Sequence, residues 1–215
     1  MESKMKEMWN SRYSSTEFAY GTVPNQFFKE TLSQLKPKGK ILLPAEGEGR
    51  NAVYAAQQGL DVTAFDISSE GKKKTLQLAM NESVELKYEI GNLFELDLVN
   101  EKFDAAALIF AHFPAPILSK YHHKIADLIK DDGMIILEGF SKGNLPIRIR
   151  NPKVGGPDKI EMLFSIESVK NDFPDFEILK LEEVEVELNE GKFHNGKGKV
   201  IRFIGKKNKT AYNKI

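Results

Sequence analysis

Residues 41–68 read ILLPAEGEGRNAVYAAQQGLDVTAFDIS, and their order decides the fold. An apolar run, Ile41 to Leu43, breaks at Pro44 into a loop with glycines at 47 and 49. Arg50 to Gln58 then reads as a helix that stops at Gly59, and Asp61 to Asp66 as a strand with Val62, Ala64 and Phe65 apolar. Strand, glycine loop, helix and strand make one βαβ unit, and such units build parallel sheets buried on both faces.

The same alternation continues outward. Pro24 to Leu35 reads as a helix with proline in its first turn and Phe27, Phe28, Leu32 and Leu35 at helical spacing, and Lys38 to Leu43 is the first strand. Downstream come a helix at Ser69 to Met80, strands at Val84 to Ile90 and Phe103 to Phe110, a helix at Pro116 to Ile129 and a strand at Met134 to Phe140. Ser141 to Ile160, rich in Gly, Pro and Asn, reads as a long, partly irregular excursion, and long loops in compact domains usually carry function. A short helix near Ile166 to Asp172 follows, then a strand from Phe176 to Leu188, a turn over Asn189 to Gly196 and a last strand at Gly198 to Lys206. The expected architecture is α/β, a Rossmann-like, doubly wound, seven-stranded, mostly parallel sheet with a C-terminal antiparallel hairpin and helices on both faces. It forms one domain over 1–215, with an N-terminal segment 1–23, an excursion 141–165 and a polar, frayed tail 207–215.

Composition narrows the function. The chain has 215 residues, enough for one substantial core, and sets 31 Lys+Arg against 31 Asp+Glu, so no basic excess exists to neutralise nucleic-acid phosphates. With no cysteine, disulfides, thiolate zinc sites, iron–sulfur clusters and a cysteine nucleophile are all ruled out. The start, MESKMKEMWNSRY, has no apolar signal-peptide core, and the longest apolar run, Ala105 to Ala111, is too short to span a bilayer. The expectation is a cytoplasmic protein, monomer or homodimer, with no nucleic-acid or membrane partner. Metal ligands are not expected either, because His122 and His123 are adjacent and cannot converge on one ion.

The loop Ala45 to Ala52 lies where open α/β sheets bind ligands. Gly47, Gly49 and Ala52 fit the G-x-G-x-x-A dinucleotide pattern, with Asp66 about 20 residues on as a ribose acid, so an NAD-dependent oxidoreductase is one reading. Glu46 and Glu48 would, however, set negative charge beside a pyrophosphate. They suit a cationic ligand better, and S-adenosylmethionine offers a sulfonium, an ammonium group and a ribose.

The stretch 41–68 resembles the first two motifs of the class I S-adenosylmethionine-dependent methyltransferases. The W-x-x-R-Y start (Trp9, Arg12, Tyr13) and the G-E-G-R-N loop (Gly47 to Asn51) are similar to the small-molecule subgroup related to tellurite-resistance and thiopurine methyltransferases. That resemblance implies an enzyme transferring a methyl group from S-adenosylmethionine to a small-molecule acceptor by in-line displacement. The alternatives are a non-catalytic protein that binds S-adenosylmethionine or another adenosine ligand, and the oxidoreductase. The resemblance places Gly47 and Gly49 along the methionine part of the cofactor, Asp66 at both ribose hydroxyls, and Asn92 and Leu93 at the adenine, Asn92 standing where the family usually has aspartate. The cofactor set further takes in Tyr20, Glu46, Glu48, Arg50, Ile67 and Phe110, with Glu46 replacing the acid that Leu43 lacks. Ala45 replaces the loop's usual first glycine.

On the acceptor side, His112 follows the fourth strand and His194 lies in the hairpin turn, both at the carboxyl rim, as candidates for a general base. Arg148 and Arg150 of the excursion are placed to clamp an anionic acceptor, and Tyr13 to contact the acceptor from the N-terminal segment, which in the resembling family folds over the cofactor as a lid.

Overall fold

The computed structural model describes residues 2–98 and 100–209. Helix α1 (Glu2–Tyr13) and helix α2 (Gln26–Leu35) precede β1 (Lys40–Pro44), α3 (Arg50–Gln57), β2 (Asp61–Asp66), α4 (Ser69–Asn81) and β3 (Lys87–Ile90). Then follow β4 (Phe103–Ile109), α5 (Leu118–Leu128), β5 (Ile129–Phe140), α6 (Leu145–Arg150), α7 (Ile166–Asp172), β6 (Phe176–Glu190) and β7 (His194–Lys207). The seven strands form one sheet in the order β3-β2-β1-β4-β5-β7-β6. The first five are parallel, and β7 runs antiparallel between β5 and β6. The strand order reverses between β1 and β4, so the loops leaving these two strands part and open a crevice at their carboxyl ends.

Apolar runs without alternation explain why the sheet is covered twice. Leu42, Phe65, Ala106, Leu108, Ile135 and Leu137 face Tyr121, Ile125 and Leu128 of α5 and Val169 of α7. Ile41, Leu43, Val62, Ala64, Ala105, Ala107 and Ile136 face Phe27, Phe28 and Leu32 of α2 and Ala52 and Ala55 of α3. Successive residues of a strand thus supply opposite cores.

Several boundaries move from the sequence expectation. Asn25 caps α2, its Oδ1 accepting from Phe28 N at 3.0 Å, so Pro24 lies before the helix and not in its first turn. The hairpin turn shortens to residues 191–193, because ladder pairing continues to Glu190 opposite His194. The excursion is less irregular than its composition suggests: α6 and the 3-10 turns Lys142–Asn144, Pro152–Val154 and Ile160–Met162 fold onto the hairpin. Val154 and Leu163 pack there with Phe140, Leu188 and Val200. Of the tail expected at 207–215, Lys207 closes β7 and Asn208 N donates to Asp175 O at 2.9 Å, while 210–215 fall outside the described residues. Among the described residues no helix is long and apolar enough to cross a membrane.

Candidate functional site

The crevice floor is the loop between β1 and α3. Three successive odd positions take left-handed backbone, Ala45 (φ 52°), Gly47 (φ 62°) and Gly49 (φ 85°), so Ala45 adopts the conformation that its glycine counterpart would reach without strain. A side chain at Gly47 would stand 2.6 Å from Tyr13 Oη, and one at Gly49 2.3 Å from Thr75 Cγ2. Across the crevice Phe110, just past β4, is also left-handed (φ 53°). Strained backbone therefore ends both strands that flank the switch point.

Asp66 ends β2 against this loop. Its Oδ2 accepts from Gly47 N at 3.1 Å and its Oδ1 from Ser68 N at 2.9 Å, while Ser68 itself caps α4 through Gly71 N. Burial, only partly offset by these backbone bonds, pushes the Asp66 carboxyl up to about 6. Each carboxylate oxygen holds a second lone pair, so Asp66 still has acceptor capacity for a diol. Gly47 O is fixed in turn by Tyr88 Oη at 2.7 Å and Thr75 Oγ1 at 3.1 Å. Tyr13, buried and stacked on Trp9, closes over Gly47. Ile67 is half-buried and Leu93 buried nearby in sequence from their strands' carboxyl ends, whereas Asn92 Oδ1 accepts from Phe94 N at 3.0 Å and thereby holds its own turn.

The acidic residues of the loop go elsewhere than expected. Glu46 Oε1 accepts from Asn51 N and Ala52 N, both at 2.8 Å, and so satisfies the first orphan donors of α3. Both of these bonds fall on one oxygen, Oε1, of the side chain expected at a cofactor ammonium. They also set the chain's own carboxylate on the amides that a pyrophosphate would use in the oxidoreductase reading. Glu48 is buried with Ala19 N on one oxygen and Lys74 Nζ on the other, each at 2.8 Å, and ties the N-terminal segment to α4 instead of lining the crevice. Arg50 turns from the cofactor side to Glu190, its Nη2 2.8 Å from Oε2.

His112 is held by backbone on both sides. Its Nε2 accepts from Phe140 N at 3.0 Å and its Nδ1 faces Met162 O at 2.9 Å. Both nitrogens face backbone, and burial holds its pKa down at about 4, so in this arrangement it ties β4, β5 and the excursion together. Arg148 Nε donates to Gly156 O at 2.8 Å, and Arg150 is exposed on α6.

Tyr20, Phe110 and His194 do converge. The His194 ring lies 4.6 Å from Tyr20, 4.4 Å from Phe110 and 5.1 Å from Phe140. Beneath them runs a buried polar network. Asn25 Nδ2 bridges Glu138 Oε1 (2.7 Å) and Glu190 Oε1 (3.0 Å), and Glu138 Oε2 accepts from Arg202 Nε at 2.6 Å. Sequence reasoning missed Asn25, Arg202 and the role of Glu190. Their only signals were a helix cap and a position beside a hairpin glycine, and neither names a partner on a distant strand.

The sequence model of a family described as methyltransferase domain matches residues 41–133. No curated protein matches the chain in sequence. Among solved structures, a protein from work on the conversion of a disulfide bond into a thioacetal group during echinomycin biosynthesis superposes with TM-score 0.77 at 14% identity, over 97% of this chain and 94% of that one. Magnesium protoporphyrin IX methyltransferase (ChlM) from Synechocystis PCC 6803, solved with bound SAH, gives 0.70 at 14% identity over 97% and 100%. TehB from Haemophilus influenzae gives 0.67 at 16% identity over 94% and 67%. The family match covers β1 through the entry into β5, the glycine loop and Asp66 lie inside it, and over nearly its whole length the chain shares the neighbours' fold.

Proposed function

We propose that the chain is an S-adenosylmethionine-dependent methyltransferase acting on a small-molecule acceptor. The observation that carries this reading is Asp66, a buried carboxylate at the end of β2 bonded to Gly47 N and still able to accept from a ribose diol. When bound, S-adenosylmethionine supplies a methyl group on a positively charged sulfur that is already a good leaving group.

The chain's own part is binding and orientation. Asp66 and the backbone of the Gly47 loop hold one end of the cofactor, with Ile67 and Leu93 offering apolar flanks. The acceptor side is the rim formed by Phe110, Phe140, Tyr20 and His194, roofed by the N-terminal segment and the excursion. A roof built from two distant parts of the chain suits a small acceptor better than a folded protein or a duplex.

Calorimetry with S-adenosylhomocysteine tests the reading. Wild-type protein should bind it, and Asp66→Ala should weaken binding by about 10- to 100-fold, the equivalent of about 1.5–3 kcal/mol for bonds to a charged acceptor. Equal affinities would remove Asp66 from the site and the reading with it. Incubation with labelled S-adenosylmethionine and a metabolite panel then separates an enzyme from a protein that only binds.

A further inference from the structure

We propose that Glu190 and His194 form a base dyad, His194 Nε2 taking the proton of a hydroxyl or thiol acceptor and Glu190 positioning the ring. This rests on the methyltransferase reading and narrows its acceptor to a protic one.

The dyad is built by strand register. Glu190 and His194 are opposed across the β6–β7 ladder, on either side of the three-residue turn, so their side chains share one face. His194 Nδ1 lies 3.1 Å from Glu190 Oε2. The same oxygen accepts from Arg50 Nη2 at 2.8 Å, and the other from Asn25 Nδ2. Although burial opposes it, bonding to His194 and Arg50 draws the Glu190 carboxyl down to about 2, so it is ionised and accepts only. An acceptor-only partner at Nδ1 makes that nitrogen the protonated one and leaves the ring's lone pair on Nε2.

Nε2 makes no hydrogen bond among the described residues. It lies beside Gly155 of the excursion, where an added side chain would come within 2.7 Å of Cδ2 and 3.2 Å of Nε2, so the glycine keeps that edge of the ring free of a side chain from its own position. The charged and titratable groups around the ring are Glu190 from its own hairpin, Arg50 from α3, Arg12 from α1, Tyr20 from the N-terminal segment and His112 beyond β4. Burial first, with Arg50 and Arg12 adding to it, lowers the pKa of His194, so the ring is neutral near pH 7 and ready to accept a proton.

The step balances. Nε2 takes the acceptor's proton, the electron pair left on oxygen or sulfur forms its bond to the methyl carbon, and the carbon–sulfur bond breaks with its pair staying on the cofactor's sulfur. His194 then passes the proton to solvent. While the ring is charged, Glu190 holds it in place as the counter-ion. An acceptor that reacts through a free lone pair, such as a thioether or a tertiary amine, needs none of this.

The test uses the full chain saturated with S-adenosylhomocysteine and 15N-labelled at histidine. His194 should show the Nδ1–H tautomer with an unprotonated Nε2 at pH 7, and Glu190→Gln should move it to a mixture of tautomers. With phenol and thiophenol as probe acceptors, His194→Gln should lower transfer to phenol, which stays protonated at neutral pH, by at least about 100-fold, and transfer to the readily ionised thiophenol far less. An Nε2–H tautomer, equal losses for both probes, or transfer to neither overturns the dyad. Both variants should bind S-adenosylhomocysteine within about threefold of wild type, which separates loss of the base from loss of the fold. If wild-type protein does not bind S-adenosylhomocysteine at all, the methyltransferase reading fails and takes the dyad with it.

Discussion

A carboxylate at a helix amino terminus ordinarily ionises easily, yet Glu46 is pushed up to about 7 because burial outweighs the amides of Asn51 and Ala52. A folded-state value above the ordinary one of 4.5 means that the folded chain holds a proton the unfolded chain releases. The stability this gives is present below about pH 4.5 and is lost as pH rises toward 7. Glu46→Gln, which keeps an oxygen for both amides, should therefore gain on wild type by about 2 kcal/mol between pH 5 and pH 8, read from urea unfolding at each pH. Parallel pH dependences in the two proteins would show that Glu46 ionises as freely folded as unfolded. Residue by residue, legibility tracked backbone constraint. Gly47, Gly49 and Asp66 stand where the sequence put them because left-handed backbone and a strand end leave few options. Glu46 and Glu48 have long side chains that reach their own helix, the N-terminal segment or a ligand equally well, and only the packed structure chooses.

At the scale of elements, the N-terminal segment is latched from two sides. The Arg12 guanidinium lies between the Trp9 ring at 4.8 Å and the Phe193 ring at 4.5 Å, and its Nη1 donates to Tyr20 Oη at 2.8 Å. Lys192 N donates to Ala19 O at 2.9 Å, and Lys192 also pairs with Glu17. Each cation–π contact is worth about 0.5–1 kcal/mol, and the charged hydrogen bond more. Arg12→Ala should raise amide exchange in residues 2–20 by about 10- to 30-fold while leaving β1 and β4 unchanged, as local opening requires. Exchange that rises equally in β1 would mean that the segment is part of the global unit. The helix α1 was not legible because its sequence carries no broad apolar stripe; it is ordered by Tyr13 over Gly47 and by Asn10 Oδ1, which accepts from Ser68 Oγ and Glu70 N. Excursion helix α6 escaped for a related reason: Gly, Pro and Asn around it read as loop, and its order comes from Leu145 and Ile147 against the hairpin.

Across the whole molecule, the sheet order and the two cores were the most legible features, since β-branched and apolar runs at βαβ spacing admit few topologies. Leu42 measures that core. It is fully buried in β1, the strand next to the switch point, so Leu42→Ala should cost about 2–5 kcal/mol and lower the midpoint of a single cooperative unfolding transition. A loss under about 1 kcal/mol would mean that the sheet centre repacks freely. The equal numbers of acidic and basic residues also acquire a meaning at this scale. Glu48 pairs with Lys74, Arg50 with Glu190 and Arg202 with Glu138, so the crevice neutralises its own charges locally instead of setting an acidic side against a basic one.

The latch between Ala19 and Lys192 bears on the order in which the molecule is made. Residues 12–20 are synthesised before the sheet, but their partners on the β6–β7 turn only after six strands are complete. Because domains assemble as the chain emerges, the parallel sheet can form while its carboxyl edge is still uncovered. The roof over the crevice closes only when the β6–β7 hairpin captures a segment that precedes the whole sheet in the chain.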